Sequence, residues 1–449
     1  MRFALTAVAL FSLLAAGPAS AKVSAQEAAR LGKDLTPNGA ERAGNKDGTI
    51  PAWSGGLTTA PPCFKPGGRY CDPFSSDQPL YTITAANAAQ YEAKLSPGQR
   101  AMFQKYPNYK MLVYPSRRTL ALPQHVYEAT AQNAVRAELA GNGEAVTGAA
   151  IGIPFPIPAG GYEPIWNHKL RYRGEGGRHY NNQFAVTTTG DYSQVTLRED
   201  IALSYSKRTA TPDNLENVSI YFLQVVTVPP RLAGTILLVH ETMDQVKEPR
   251  RAWQYNPGQR RLRRAPNVGY DNPGTGADGL RTNDQYDMYN GAMDRYTWKV
   301  LGKQEMIVPY NGYRLASEQY KYPDIMKKDH INQDLPRYEL HRVWVVDSTI
   351  KPGTTHLYKR RTFYLDEDTW GILLADVYDR RDQLWRWQES HPLMYYDRPY
   401  SGTAGEAIYD LQSNRYLGQG FSNEHPEFSM EEFPPSYFDP ANVSKQANR

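Results

Sequence analysis

Cysteine is nearly absent from this 449-residue chain, with only Cys63 and Cys71 present. A cysteine-rich metal scaffold is excluded, and the gap between the two is too wide for CxxC redox chemistry. A dominant charge of one sign is also lacking. There are 51 Lys and Arg against 47 Asp and Glu, a formal net charge of +4, which argues against a dedicated nucleic-acid binder. The nine histidines are scattered. No HExxH, GxSxG or phosphate-binding loop occurs, and no cysteine adjoins a catalytic base, so the motif-bearing hydrolases lose their support. Paired carboxylates remain open as a hydrolytic device, because such pairs meet in space and not in sequence. Beyond the N-terminus no apolar run reaches the ~20 residues that a membrane-spanning helix needs.

What is present begins at the first residues. Arg2 precedes a short apolar run over 3–17, and Ala19-Ser20-Ala21 has the small-x-small pattern of a signal-peptidase site. This predicts a secretory signal peptide over 1–21, cleaved after Ala21, and an exported, periplasmic protein. The next residue is Lys22 and not Cys, so no lipid anchor is expected there. In an oxidising compartment Cys63 and Cys71, inside PPCFKPGGRYCDPF, read as one short disulfide loop. Closing it stabilises by about 2–3 kcal/mol in the chain-entropy account.

With 35 Gly, 33 Pro and 12% aromatics, the chain favours many short strands and turns over long helices. Residues 22–150 read as a helical and extended segment: a capping box at Ser24–Glu27, helices over 85–95, from Pro97, and over 124–139, and a long lead-in, LTPNGAERAGNKDGTIPAWSGGL. After residue 150 the hydrophobic period becomes two. Strands are predicted at 183–188, 195–205, 218–228, 235–241, 251–255, 260–264, 298–305, 338–348, 356–365, 370–378, 384–389 and 407–410. The expectation is a mainly β (α+β) chain, an antiparallel meander over 151–437 with a flexible tail at 438–449. TILLVH and WGILLADV are apolar on both faces, so helices or loops must cover part of the sheet.

Few motifs carry chemistry. Gly274–Gly279 fits GxGxxG by letter but follows no strand and opens no helix, so it reads as a loop. Asp271, Asn272, Asp278, Asn283, Asp284 and Asp287 lie around it without EF-hand spacing, and read as polar loop groups. Asp366, Glu367 and Asp368 crowd one hairpin tip and read as solvated turn formers. In RRAWQYNPGQRRLRRAP, Trp253 and Tyr255 share a strand face and the return strand carries Arg260, Arg261, Arg263 and Arg264 around Leu262. Such a hairpin suits an amphiphile, with guanidinium on an anionic head and rings on an apolar body. It equally suits a charged edge that blocks aggregation. The apolar, proline-rich 151–158 segment, with Phe155 at its centre, is either a lid over a cavity or a plug. The candidate ligand-binding residues are therefore Trp253, Tyr255, Arg261, Arg263 and Phe155. The cavity is expected on the concave face, lined in part by TILLVH and WGILLADV. No catalytic residue, metal ligand or cofactor is assigned.

Several longer motifs point further. LTPNGAERAGNKDGTIPAWSGGL, GIPFPIP followed by IWNHKLRYRG, RRAWQYNPGQRRLRRAP, and ADGLRTNDQYDMYNGAMDRYTWKVLGKQE resemble, in this order, the exported Gram-negative family called domain of unknown function 1329. That family is similar to the lipoprotein-carrier superfamily of LolA and LolB. The resemblance implies a strongly curved, incompletely closed antiparallel sheet, a half-barrel, with helices tucked into its concave side around a cavity suited to acyl chains. It also implies the company of a resistance-nodulation-division exporter and an outer-membrane protein. The leading expectation is a periplasmic carrier or adaptor for a hydrophobic, lipid-like ligand beside an envelope transporter. A ligand-free structural or interaction protein of the envelope would instead have a filled sheet interior. A hydrolase would show a buried polar cluster with a base in reach of a nucleophile. An outer-membrane barrel fits least, because the apolar runs are not steadily lipid-facing.

Overall fold

The computed structural model describes residues 23–245, 247–265, 270–426 and 429–447. The expected signal peptide lies outside the described residues. Helix α1 (Ala25–Ala28) opens on the capping box of Ser24 and Glu27. The lead-in then runs without regular structure to the disulfide Cys63–Cys71, whose Cα atoms are 6.2 Å apart. Strands β1 (Tyr81–Thr84) and β2 (Lys110–Val113) flank a 3-10 turn (Ala88–Lys94) and α2 (Pro97–Lys105), which Ser96 caps. The turn replaces the α-helix expected over 85–95. Helix α3 (Gln124–Arg136), a small hairpin of β3 (Glu138–Ala140) and β4 (Ala145–Thr147), and α4 (Tyr162–Leu170) complete the N-terminal part. Sequence periodicity did not reveal α4, because it is buried nearly all round and has no polar stripe.

The rest is strand: β5 (Gly176–Val186), β6 (Tyr192–Leu203), β7 (Val218–Val228), β8 (Ile236–Thr242), β9 (Arg251–Asn256) and β10 (Arg261–Arg264). After a long loop come β11 (Tyr296–Pro309), the short helix α5 (Tyr322–Ile325), β12 (Tyr338–Ile350), β13 (Arg360–Asp366), β14 (Ile372–Tyr378), β15 (Leu384–Tyr395), β16 (Tyr400–Asp410) and β17 (Arg415–Phe421). One sheet of 15 strands holds all but β3 and β4. Two antiparallel meanders, β5 to β10 and β11 to β17, are joined where β17 pairs β5, with Gly418 opposite Phe184. Strands β10 and β11 end the two meanders and do not pair with each other among the described residues. The fold is thus the mainly β, curved, open sheet that was expected.

Both faces of the central strands are covered. On β13, Tyr364 enters one core cluster while Phe363 and Leu365 enter another on the opposite face. All of β14 is buried, as the two-sided apolar pattern of WGILLADV requires. The second cluster is built with α4 and with the 151–158 segment, which is a plug. Its proline-rich backbone cannot join a sheet, so side chains satisfy it. Asn167 accepts from Phe155 N at 2.9 Å and donates to Phe155 O at 2.7 Å. Thr130 accepts from Ile153 N, and Asn133 donates to the carbonyls of Ala150 and Gly152.

Two expectations are corrected. Asp366, Glu367 and Asp368 are buried and not solvated. The lead-in folds over their hairpin tip, where Asn38 donates to the Asp368 carbonyl and accepts from the Trp370 indole on its own carbonyl. Arg118 grips Asp368 through Nε at 2.9 Å and Nη2 at 2.7 Å, and Arg342 holds Glu367 at 2.6 Å. Nor are residues 438–447 frayed. Helix α6 (Pro440–Ala447) and the 3-10 turn Pro435–Phe438 dock on the sheet, burying Phe438 and Val443.

Candidate ligand cavity

The registers of β5 to β8 stack side chains into rows on the sheet face that also carries α4. His179, Glu199, Gln224 and Leu237 form one row. Ile201, Phe222 and Val239 form the next, and Leu203, Ile220 and Glu241 the third. Period-two alternation sends all of these to one side. They wall a cavity of about 250 Å³, just below the ~300–1,000 Å³ of small-molecule sites. Ile201, Ile220, Phe222 and Leu237 are only half-buried, so their apolar surface faces the cavity and not packed protein.

The opposite wall is polar. It comes from the 270–290 loop, from α4, and from β16 and β17. The loop is seated by Gly276, where a Cβ would press on Val195 and φ is +70°. Tyr286 then reaches the sheet and donates to Glu199 at 2.6 Å, with its ring edge-on to Phe222. Glu199 also accepts from Gln224 at 2.7 Å and pairs with His179 at 2.8 Å. Burial pushes the Glu199 carboxyl upward, but His179, Tyr286 and Gln224 outweigh it and the net shift is down. Asp287 is held by Arg171 at 2.5 Å and Arg173 at 2.7 Å, and these cations overcome burial to keep it ionised. Glu406 has no cation within salt-bridge distance among the described residues. Burial first, then the Asp287 charge, push it up to about 7. Burial brings Lys169 down to about 8, and its ammonium donates to the Gly291 carbonyl.

The candidate residues read from the sequence do not gather here. Trp253 and Tyr255 face the other side of the sheet, in a cluster with Phe433, Phe438 and Val443 of the C-terminal segment. Arg261 and Arg263 pair with Asn256 and Gln254, so they point to the side opposite Trp253 and Tyr255, and both are exposed on the outermost strand. The hairpin therefore does not bring Arg261 and Arg263 onto the surface of the rings; of the β10 arginines, Arg264, opposite Trp253, shares their face. Phe155 is buried in the plug. TILLVH contributes Leu237 and Val239 to the cavity, whereas no residue of WGILLADV lines it. The lining residues missed from the sequence had a signal. LREDIAL, SIYFLQ and LLVHE each place an acidic or amide group two or four residues from apolar ones on the same face.

A second polar cluster lies elsewhere. Ligand atoms of His341, Asp366 and Asp368 come within 4.8 Å of one another, all buried. Arg118 already occupies both Asp368 oxygens, and His341 pairs with Glu339 at 2.8 Å while stacking on Tyr310. This is a satisfied ionic network that pins the hairpin tip. The loop carboxylates are likewise taken: Asp284 by Arg361 and His356, Asp278 by Arg415, Asp271 by Arg295.

The chain is 51% identical over 423 residues to Uncharacterized protein PA3922 of Pseudomonas aeruginosa, covering 94% of this chain and 93% of that one. Among solved structures it is similar to a DUF1329 family protein of Desulfovibrio piger, at a TM-score of 0.42 and 13% identity over 61% of this chain and 93% of the other. It is similar also to a LolA superfamily protein of Nitrosomonas europaea, at a TM-score of 0.37 and 10% identity over 61% and 93%. Residues 82–444 match the family model described as protein of unknown function, DUF1329, and the chain belongs to that family.

Proposed function

We propose that the protein is a carrier or adaptor for a hydrophobic, lipid-like ligand, which lies in the cavity between the β6–β8 wall and the 270–290 loop. One observation carries this reading. The central strands are covered on both faces, whereas Ile201, Ile220, Phe222 and Leu237 keep half-buried apolar surface towards a cavity of about 250 Å³. An aliphatic chain entering it gains about 0.8 kcal/mol per methylene withdrawn from water. Export to the periplasm is the setting in which such a carrier works, handing ligand to an envelope transporter of the resistance-nodulation-division class and an outer-membrane protein. No helix among the described residues is long and apolar enough to cross a membrane.

The test is extraction and mass spectrometry of natively purified protein, with titration of a fluorescent fatty acid. Co-purified lipid, or micromolar binding abolished by the cavity-filling pair Ile201→Trp and Val239→Phe with the fold retained, supports the carrier. A folded wild type that binds no probe and yields no lipid overturns it. A second reading has its own observation: α4, the 151–158 plug and the 270–290 loop fill most of this sheet face. In that case the molecule is a ligand-free interaction protein, and the same folded, empty wild type is the result it requires.

A further inference from the structure

We infer that the cavity selects an amphiphile with an anionic head, a carboxylate or a phosphate, and that Arg281 is the anchoring group. This rests on the carrier reading above and names its ligand class. Arg281 lines the cavity and is 3% exposed. Among the described residues it has no ion pair. Its one hydrogen bond is from Nη1 to the neighbouring Thr282 carbonyl, at 3.4 Å, and its Nε has no partner. The other arginines that line the cavity are ion-paired. Arg250 pairs with Glu241, and Arg173 shares Asp287 with Arg171. A buried guanidinium without an anion is costly, and the full desolvation penalty falls on its unmade bonds.

The site around Arg281 is built for that group. A Cβ at Gly274 would collide with the guanidinium, so the glycine leaves the room it occupies. Tyr286 lies 5.9 Å from its Cζ, on the cation–π side. Arg173 faces the same cavity with its own Nε unpaired. Two guanidinium groups on Asp287 leave one positive charge in excess, and Arg281 adds a second. Glu199, an acid of the sheet wall, is already matched by His179, Tyr286 and Gln224. An acidic head at Arg281 would place its tail along Ile201, Phe222 and Val239, the apolar wall of the same cavity.

The experiment compares dodecanoate, dodecyl phosphate, dodecanol and dodecyltrimethylammonium by calorimetry or probe displacement on the full chain. The wild type should hold at least one of the two anions about tenfold or more tighter than dodecanol, the scale of charge-assisted hydrogen bonds. It should reject the cation. Which anion binds better distinguishes a fatty acid from a phosphate-headed lipid. Arg281→Gln should erase the anion preference while leaving dodecanol affinity in place, and Arg281→Lys should restore part of it. Should Arg281→Gln not fold, Arg173→Gln, on the more exposed partner, should reduce the preference. Equal binding of dodecanol and both anions by the wild type overturns the anion site and leaves the carrier standing. Retained preference in a folded Arg281→Gln variant overturns the anchor. Failure of all four ligands overturns both readings.

Discussion

Glu406 shows how one residue records the electrostatics of its surroundings. It faces Asp287, accepts from Gln388 and Gln419, and lies within the field of Arg173 and Arg281. Its carboxyl is pushed up to about 7 from an ordinary 4.5. The folded state therefore holds a proton that the unfolded chain has released. The associated stability is complete below about pH 4.5 and is lost as pH rises through about 7. Glu406→Gln, which keeps a neutral side chain at every pH, should unfold like wild type near pH 4.5. At pH 8 it should be more stable by about 2 kcal/mol. Denaturant titrations at the two pH values check this, and an equal effect at both would refute it. Asp376, pushed up to about 6 by burial, shifts in the same direction and belongs to the background of both proteins. Arg118 makes the contrasting case. It is buried against Asp368 and Glu367, and Arg118→Met leaves those acids without their cation. The expected loss is about 3–5 kcal/mol, read as a lower denaturation midpoint.

At the scale of elements, periodicity located most strands to within a few residues, and Val218–Val228 was placed at both ends. Strand β17 was missed because RYLGQGF, with two glycines, carries a weak alternation. The functional wall was harder to read. Which face of β6 to β8 stays uncovered depends on the 270–290 loop, whose sequence is rich in turn residues and has no strand or helix period that would fix where it packs. Trp253 and Tyr255 looked like ligand groups because their partner is remote in the chain. The C-terminal segment covers them, with Tyr221 stacking on Phe438 at 5.5 Å and His240 bonding the Phe438 carbonyl. Phe438 is fully buried, so Phe438→Ala should cost about 3–5 kcal/mol. It should also uncover a dye-binding apolar surface on β7 to β9. An unchanged melting temperature with no added dye binding would mean that the segment only rests on the sheet.

For the molecule as a whole, the controlling fact is that the sheet does not close. Two meanders share one seam at β17 and β5 and leave free edges at β10 and β11, while the short β1–β2 pair extends the sheet from the start of β12 and ends at β1. An unpaired edge of a large apolar sheet is a template for another chain. The two edges are guarded differently. Strand β11 bends at a bulge between Val300 and Gly302 and exposes Lys299, and a bulge interrupts the ladder an incoming strand would need. Strand β10 is regular, and its protection is charge: Arg260, Arg261, Arg263 and Arg264 are all exposed along it. This gives the arginine hairpin a role set by the open architecture. Replacing Arg261, Arg263 and Arg264 with Val removes the repulsion while raising strand propensity. Unfolding free energy should move by no more than about 0.5 kcal/mol per site, since the side chains are solvated. Light scattering after size-exclusion chromatography should then show concentration-dependent association that wild type lacks, reversed when Lys replaces Arg at the same positions. A triple Val variant that stays in the wild-type association state up to high concentration would show that something other than these charges protects the edge.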